Sequence, residues 1–454
     1  MSIKANVTRV FSANLLTMLS GIIIGFIVPV ALSIDSYASL RTYMLYVGYI
    51  GFLHFGFIDG MYIRYGGKEL DEIDKSEFKG EHNVFIISQL IFTGIFLINS
   101  LISKNVVILL LAISILPINT GSFHKLFYQS TGEFKKYAKI SYVYTLIYLF
   151  LNLIFVFILK SDLFVLYCLA SLIGHIVIFC ILEFNFYKEF KDIKPKYIKK
   201  ILISNIKVGF IILIANLGIV IFNATDLWFV KLNLKTSDFA YYSFAVSMLN
   251  VIGVLISSVS MTFYNYLAKG ENKKFILKLK KYFIIIGAFT SLSYFGFAMI
   301  VNLFIKKYIL SLSIIAISFA AFPYMISING LFINLYRARK DEKKYLKVMI
   351  SMVVISIIYN TIAIMIWRTT TSIAMATLFA FITWFIYSCY DLGYLKLEKK
   401  EILYLTIITT SFLVTSNTFN WFIGGLIYLI IFIVITILLF KGEIKEILNL
   451  KNKK

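Results

Sequence analysis

The stretch "LFYQSTGEFKKYAK" (residues 126–139) and the stretch "INLYRARKDEKKYLK" (residues 333–347) are two versions of one loop. In a single register Tyr128 faces Tyr336 and Glu133 faces Asp341. Lys135-Lys136-Tyr137 faces Lys343-Lys344-Tyr345, and Lys139 faces Lys347. Each loop follows the fourth apolar run of its half of the chain. A second, near-equal register joins the first runs of the halves. "ANL" at residues 13–15 recurs as "ANL" at 215–217, and "DSYA" at 35–38 faces "SDFA" at 237–240. Matches at the same places in the topology indicate an internal duplication.

The duplicated unit is a membrane unit. The chain has 454 residues, is 60% hydrophobic and carries 15% charged residues. A soluble domain carries about 25% charged residues. Apolar runs of crossing length, about 20 residues each, recur throughout. They are expected at roughly 10–32, 40–58, 83–103, 106–124, 139–159, 162–183, 204–226, 238–262, 282–304, 307–334, 346–367, 371–391, 401–417 and 420–440. The first run, Val10–Leu32, is too long for a signal-peptide core. Cys168, Cys180 and Cys389 all fall in apolar runs and read as small hydrophobes.

The formal net charge of +22 is read as topology. With the N-terminus in the cytoplasm, the basic clusters at 59–82, 124–139, 188–200, 269–281, 337–347, 396–400 and beyond Lys441 all fall on one side. The other side holds scattered bases such as Arg41, Lys160 and Arg368. This is the positive-inside pattern, and nucleic acid is not an expected partner. The fold class expected is an all-α polytopic membrane protein of about fourteen transmembrane helices. An N-terminal six-helix lobe spans residues 1–200 and a C-terminal six-helix lobe spans 201–400. Two extra helices and a basic tail occupy 401–454, and both termini lie in the cytoplasm. Six is even, so the repeats are parallel, an arrangement found in alternating-access transporters, with a cleft between the lobes.

Polar groups at bilayer depth cost at least about 2.5–3.5 kcal/mol on insertion scales and usually face a wet or polar interior. Asp226, with Asn223 and Thr225 late in span seven, is either a cavity or ion site or an ordinary helix-end group. It is the candidate coupling-ion residue. Lys207 either snorkels to the headgroups or points into the cleft. Asn14 and Asn216, the repeat-related pair, either bond across helices or line the cleft. Arg64, beside glycines in "HFGFIDGMYIRYGGK" (54–68), is either a cleft-mouth phosphate ligand or a snorkelling anchor. Gly60, Gly66 and Gly67 would permit a bend or a close backbone approach there. Arg41 and Arg337 complete the substrate-binding candidates. His54 and His124 lie near helix ends, and His175 lies mid-span as an expected interhelical hydrogen-bonding group. The acids between Glu69 and Glu81 alternate with lysines and read as solvated loop. No catalytic signature, P-loop or spaced metal motif appears, so neither catalytic residues nor a metal is expected.

Whole-chain patterns resemble one family. The segments "GFIDGMYIRYGGK" (56–68), "ANLGIVIFNATDLWFV" (215–230), "DFAYYSFA" (238–245) and "LYRARKDEKKY" (335–345) look like the lipid-linked oligosaccharide flippases of the multidrug/oligosaccharidyl-lipid/polysaccharide exporter superfamily. These include the Wzx-type repeat-unit transporters of O-antigen, capsule and teichoic acid. The resemblance implies a bacterial plasma-membrane transporter, not an enzyme. It implies an undecaprenyl-pyrophosphate-linked oligosaccharide as cargo, moved from the inner to the outer leaflet for surface polysaccharide. Membrane lipids, a polysaccharide polymerase and glycosyltransferases would be its partners. No cofactor is implied, and coupling would come from the membrane potential or an ion gradient. A drug/cation antiporter of the same superfamily and a non-transporting scaffold are the alternatives. The antiporter needs a buried carboxylate, for which Asp226 is the clear candidate, and span one carries no acid.

Overall fold

A computed structural model describes residues 3–267, 272–339 and 342–443, with side chains described except at 3–8, 254–267, 337–338 and 342. The chain divides into two compact units, Met1–Val220 and Ile221–Lys454. Among the described residues the regular structure is helical throughout.

The first unit contains α1 (Ile3–Ala31), α2 (Ile34–Val47), α3 (Phe57–Tyr65), α4 (Lys75–Ser103), α5 (Val106–Ser130), α6 (Phe134–Leu153), α7 (Phe164–Phe190) and the first part of α8 (Lys199–Asn233). The second contains the rest of α8, then α9 (Thr236–Leu267), α10 (Lys273–Ser291), α11 (Ser293–Phe304), α12 (Leu312–Phe319), α13 (Phe322–Ser327), α14 (Ile333–Ala338), α15 (Glu342–Ile366), α16 (Thr370–Asp391), α17 (Lys399–Thr418) and α18 (Trp421–Leu439). Ten segments are long and apolar enough to cross a membrane, and two bent helix pairs bring the count to 12 among the described residues. The helices α9 and α17 stand where the eighth and thirteenth expected spans fall.

Helix starts follow capping chemistry. The Asp74 carboxylate accepts from the Ser76 and Glu77 amides (2.8 and 3.2 Å) and opens α4. The Asn105 side chain accepts from Val107 and Ile108 (2.9 and 3.3 Å) and opens α5. Such caps satisfy the amides that a helix leaves orphaned at its first turn.

The second span is broken. The segments Ile34–His54 and Phe57–Tyr65 meet at 59°, and the bend sits at Phe55 and Gly56, both with positive φ (48° and 81°). It therefore lies before Gly60, Gly66 and Gly67, the positions at which the sequence allowed either a bend or a close backbone approach. A broken helix frees backbone carbonyls, and at membrane depth these need partners from the protein. Two fully buried amides supply them. Asn119 Nδ2 donates to the Ile50 carbonyl (3.2 Å), Gln89 Nε2 donates to the Leu53 carbonyl (3.4 Å), and the two amides bond to each other at 2.6 Å.

Beyond the bend, α3 lies directly on α8. A Cβ at Gly209 would overlap the Gly56 carbonyl, and a Cβ at Gly60 would overlap the Asn205 backbone. Gly60 thus serves close approach rather than bending. Around this crossing packs an aromatic core that includes Phe57, Phe78, Phe85, Phe123, Phe127 and Phe186.

A lysine clamp closes each unit at equivalent places in the repeat. Lys79, on α4, donates to the Phe190 and Ile193 carbonyls (2.7 and 2.8 Å) at the end of α7. Lys280, on α10, donates to the Leu395 and Lys396 carbonyls (3.0 and 3.1 Å) beyond α16. Lys280 also meets Glu401 Oε2 at 2.7 Å, with both side chains fully buried.

The close crossing sets a mutational expectation. Gly209→Ala should destabilise the protein by about 1–3 kcal/mol through overpacking. Gly94→Ala, where a Cβ meets nothing within 4 Å, should be neutral or stabilise by up to about 1 kcal/mol. Thermal unfolding in detergent of the two variants beside wild type checks the contrast.

Candidate functional site

The helix α4 begins at Lys75, eight residues before the span expected at 83–103. This changes the reading of the acids. Glu77 and Glu81 are not solvated loop residues but share one face of α4, four residues apart. Glu81 is 2% exposed. The physical reason is the clamped start of the helix: Asp74 caps it, and the Lys196 amide donates to the Ser76 carbonyl (2.9 Å), strapping the chain before α8 onto the first turn.

Arg64 comes from the last turn of α3 and closes on both acids. Its Nη2 lies 2.7 Å from Glu77 Oε2, and its Nη1 donates to Glu81 Oε1. Glu81 also accepts from the Tyr65 hydroxyl (2.5 Å) and from Asn205 Nδ2 (2.8 Å). Lys196 adds a contact to Glu77 Oε1 at 3.0 Å. Three helices, α3, α4 and α8, are thereby joined through one buried carboxylate. A buried carboxylate is tolerated only when paired and fully hydrogen-bonded, and Glu81 has three donors around it, from Arg64, Tyr65 and Asn205. Arg64 spends both its terminal nitrogens on acids in this state. Asp59 stays apart from it, 3.9 Å from His54 Nδ1.

In the second unit, Asp226 is 7% exposed on α8. Its Oδ2 accepts from the Tyr242 hydroxyl on α9 (2.8 Å) and lies 3.5 Å from Thr377 Oγ1 on α16. Its Oδ1 accepts from the Leu227 amide at 2.8 Å. Thr225, its neighbour, instead donates to the Ile221 carbonyl (2.7 Å), and Asn223 is exposed. Asp226 therefore joins three helices through hydroxyl donors, without a cationic partner among the contacts described.

The other candidates lie apart from both clusters. Asn14 on α1, and Lys207 and Asn216 on α8, are exposed. Arg41, on α2, is half-buried, with Nη1 3.9 Å from Met44 Sδ. The side chain of Arg337 lies outside the described residues. Sequence reasoning singled out Arg64 and Asp226 and missed Glu81, Asn205, Tyr242 and Thr377. Their partners are distant in the chain, and no local spacing signals them.

No family model matches the chain, and no curated protein matches it. Solved structures do match in fold. A lipid II flippase MurJ in an inward closed conformation superposes with TM-score 0.67 at 15% identity, covering 98% of this chain and 100% of that one. An inward-facing multidrug resistance MATE family transporter of the MOP superfamily gives TM-score 0.51 at 16% identity, covering 87% of this chain and 96% of that one. The chain therefore has the all-helical fold of these two proteins.

The carboxylate at the centre of the first unit predicts non-additive mutational effects. Arg64→Ala leaves Glu81 buried without its cation and should cost about 3–5 kcal/mol. Arg64→Ala/Glu81→Ala should cost less than the sum of the two single variants, by at least about 1 kcal/mol. Unfolding midpoints of the four proteins in the cycle check this, and additive costs would contradict the pairing.

Proposed function

We propose that the protein is a flippase. In this reading it carries undecaprenyl-pyrophosphate-linked oligosaccharide units from the cytoplasmic to the outer leaflet of a bacterial plasma membrane, by alternating access, for surface polysaccharide synthesis. The observation that carries the reading is the extent of the likeness to the lipid II flippase. It runs over 98% of this chain, including α17 and α18, and exceeds the likeness to the multidrug exporter in both coverage and TM-score.

The physics of the cargo supports it. A pyrophosphate with hydrated sugars would cost many kcal/mol to move through bare hydrocarbon. A path lined with exposed polar groups replaces that hydration while the prenyl chain stays in lipid. Asn14 and Asn216 fit such a path, because an exposed mid-span amide facing lipid would be costly. Lys207 and Arg41 would supply positive charge, and Arg337 continues the proposal on sequence grounds. For Arg64 to bind pyrophosphate, phosphate oxygens would have to displace Glu77 and Glu81 from its guanidinium fork, which suits either partner bidentately. An inside-negative potential favours outward movement of the anion by about 2.3 kcal/mol per charge per 100 mV.

Asp226 is the proposed coupling-ion residue. Its carboxylate, surrounded by hydroxyl oxygens from Tyr242 and Thr377, offers an oxygen-rich setting for a small cation. This same carboxylate keeps the drug/cation antiporter as the second reading.

Deletion of the gene in its host tests the proposal. Surface polysaccharide should fall, and its lipid-linked repeat units should accumulate. Wild type should restore both, while Asp226→Asn should restore them at least about tenfold less well if coupling runs through this carboxylate. An unchanged surface polymer together with increased sensitivity to organic cations would favour the antiporter instead.

A further inference from the structure

The histidines of this chain are spaced without a metal motif, and His124 carried no message in the sequence. The fold nevertheless brings His82 (α4), His124 (α5) and Glu183 (α7) to a single point. His82 Nε2 lies 3.0 Å from Glu183 Oε1, and His124 Nε2 lies 3.1 Å from the same oxygen. One ligand atom from each residue falls within a 4.8 Å span. We propose that His82, His124 and Glu183 form a binding site for a divalent transition ion of the Zn²⁺ class.

Four observations carry the assignment. The first is the donor set. Two imidazole nitrogens and one carboxylate oxygen make up a common three-ligand zinc set, which leaves a fourth position open. Tetrahedral bonds of about 2.0–2.2 Å place neighbouring ligand atoms about 3.4 Å apart. The observed 3.0 and 3.1 Å separations need only a few tenths of an ångström of outward movement, which the partly exposed Glu183 can make.

The second is rigidity. His82 stacks on Phe186 at 3.8 Å between ring centroids, and Phe123 packs edge-on against both imidazoles (5.5 and 5.4 Å). Both histidine side chains are nearly buried, 4% and 3% exposed. Their nitrogens are therefore aimed before any ion arrives, which lowers the ordering cost of binding.

The third is the tautomer. Each Nε2–H donates to the Glu183 carboxylate, so a metal would take the place of these protons. His82 Nδ1 is buried with no hydrogen-bond partner among the described residues and is the position to which the His82 proton would move. The fourth is access. His124 lines a cavity of about 450 Å³ that also meets Tyr128, Lys136, Asn185 and Glu189, and Glu183 is 25% exposed. An ion and its remaining water ligand can enter from there.

The ion would tie the start of α4 to the late turns of α5 and α7, beside the Phe78 and Phe186 core. Imidazole-rich sites of this kind favour Zn²⁺, Ni²⁺, Cu²⁺ or Co²⁺ over Mg²⁺ and Ca²⁺, which prefer all-oxygen ligands.

The test uses full-length protein in detergent, stripped with a chelator and then given ZnCl₂ or CoCl₂. Wild type should retain about one equivalent of zinc after desalting and should melt at a higher temperature with zinc than without. Its cobalt form should show the strong visible bands of a tetrahedral site. His124→Ala and Glu183→Gln should lose the retained zinc and the melting shift, while His54→Ala and His175→Ala keep both. Wild type that retains no zinc overturns the proposal. So does zinc retained equally by His124→Ala and Glu183→Gln, which would mark an adventitious ion only. Where a variant does not fold, the wild-type cobalt spectrum decides, and the weak spectrum of hexaaqua cobalt would overturn the site.

Discussion

The break in the second span is the constraint on which the first unit depends. Once Phe55 and Gly56 turn the chain, the carbonyls of Ile50 and Leu53, in the tight helical turn just before the bend, have lone pairs that need partners from the protein at membrane depth. Gln89 and Asn119 have to be buried to satisfy them, which fixes the faces that α4 and α5 turn inward. The same turn throws α3 against α8, so close that Gly60 and Gly209 tolerate no side chain. Arg64 is carried along with α3 and arrives at Glu77 and Glu81. The ion network is thus a consequence of the bend, and the bend is held in place partly by the network.

The second unit solves a similar problem with different residues. A 47° bend separates Lys306–Phe319 from Phe322–Tyr336, and Pro323 stands just inside the new helix, where its missing amide is harmless. Gly287 on α10 takes the backbone of Pro323 at close range, as Gly209 takes that of Gly56. A buried charge then holds the chain beyond α16: Lys280 satisfies two loop carbonyls and Glu401 at once. Lys79 does the same for carbonyls at the end of α7. Duplicated sequence has kept a duplicated device, although its residues are too scattered for the sequence register to expose it.

Much of this was legible in the sequence. Apolar length gave the places of the helices, the expense of a charge at depth pointed to Asp226, and the glycines beside a helix end pointed to Arg64. The rest depended on which distant residues meet. The run from Glu69 to Glu81 alternates with lysines as a solvated loop does, yet its last two acids belong to α4 because Asp74 caps the helix early. His82, His124 and Glu183 lie on three helices, and no short spacing relates them. Tyr242 and Thr377 look like ordinary polar residues of apolar spans until Asp226 is placed between them. Periodicity and charge count report on each helix alone, whereas these sites exist only between helices.

For function, the account rests on cargo chemistry and on the fold the chain shares with a lipid flippase. The most direct measurement is translocation in sealed vesicles containing the purified protein and a fluorescent or radiolabelled undecaprenyl-pyrophosphate oligosaccharide. The account predicts that protein-containing vesicles expose the sugar on the opposite leaflet several-fold faster than empty ones. It also predicts that an inside-negative potential speeds outward transfer. Equal rates with and without the protein, alongside protein-dependent exchange of an organic cation, would contradict it.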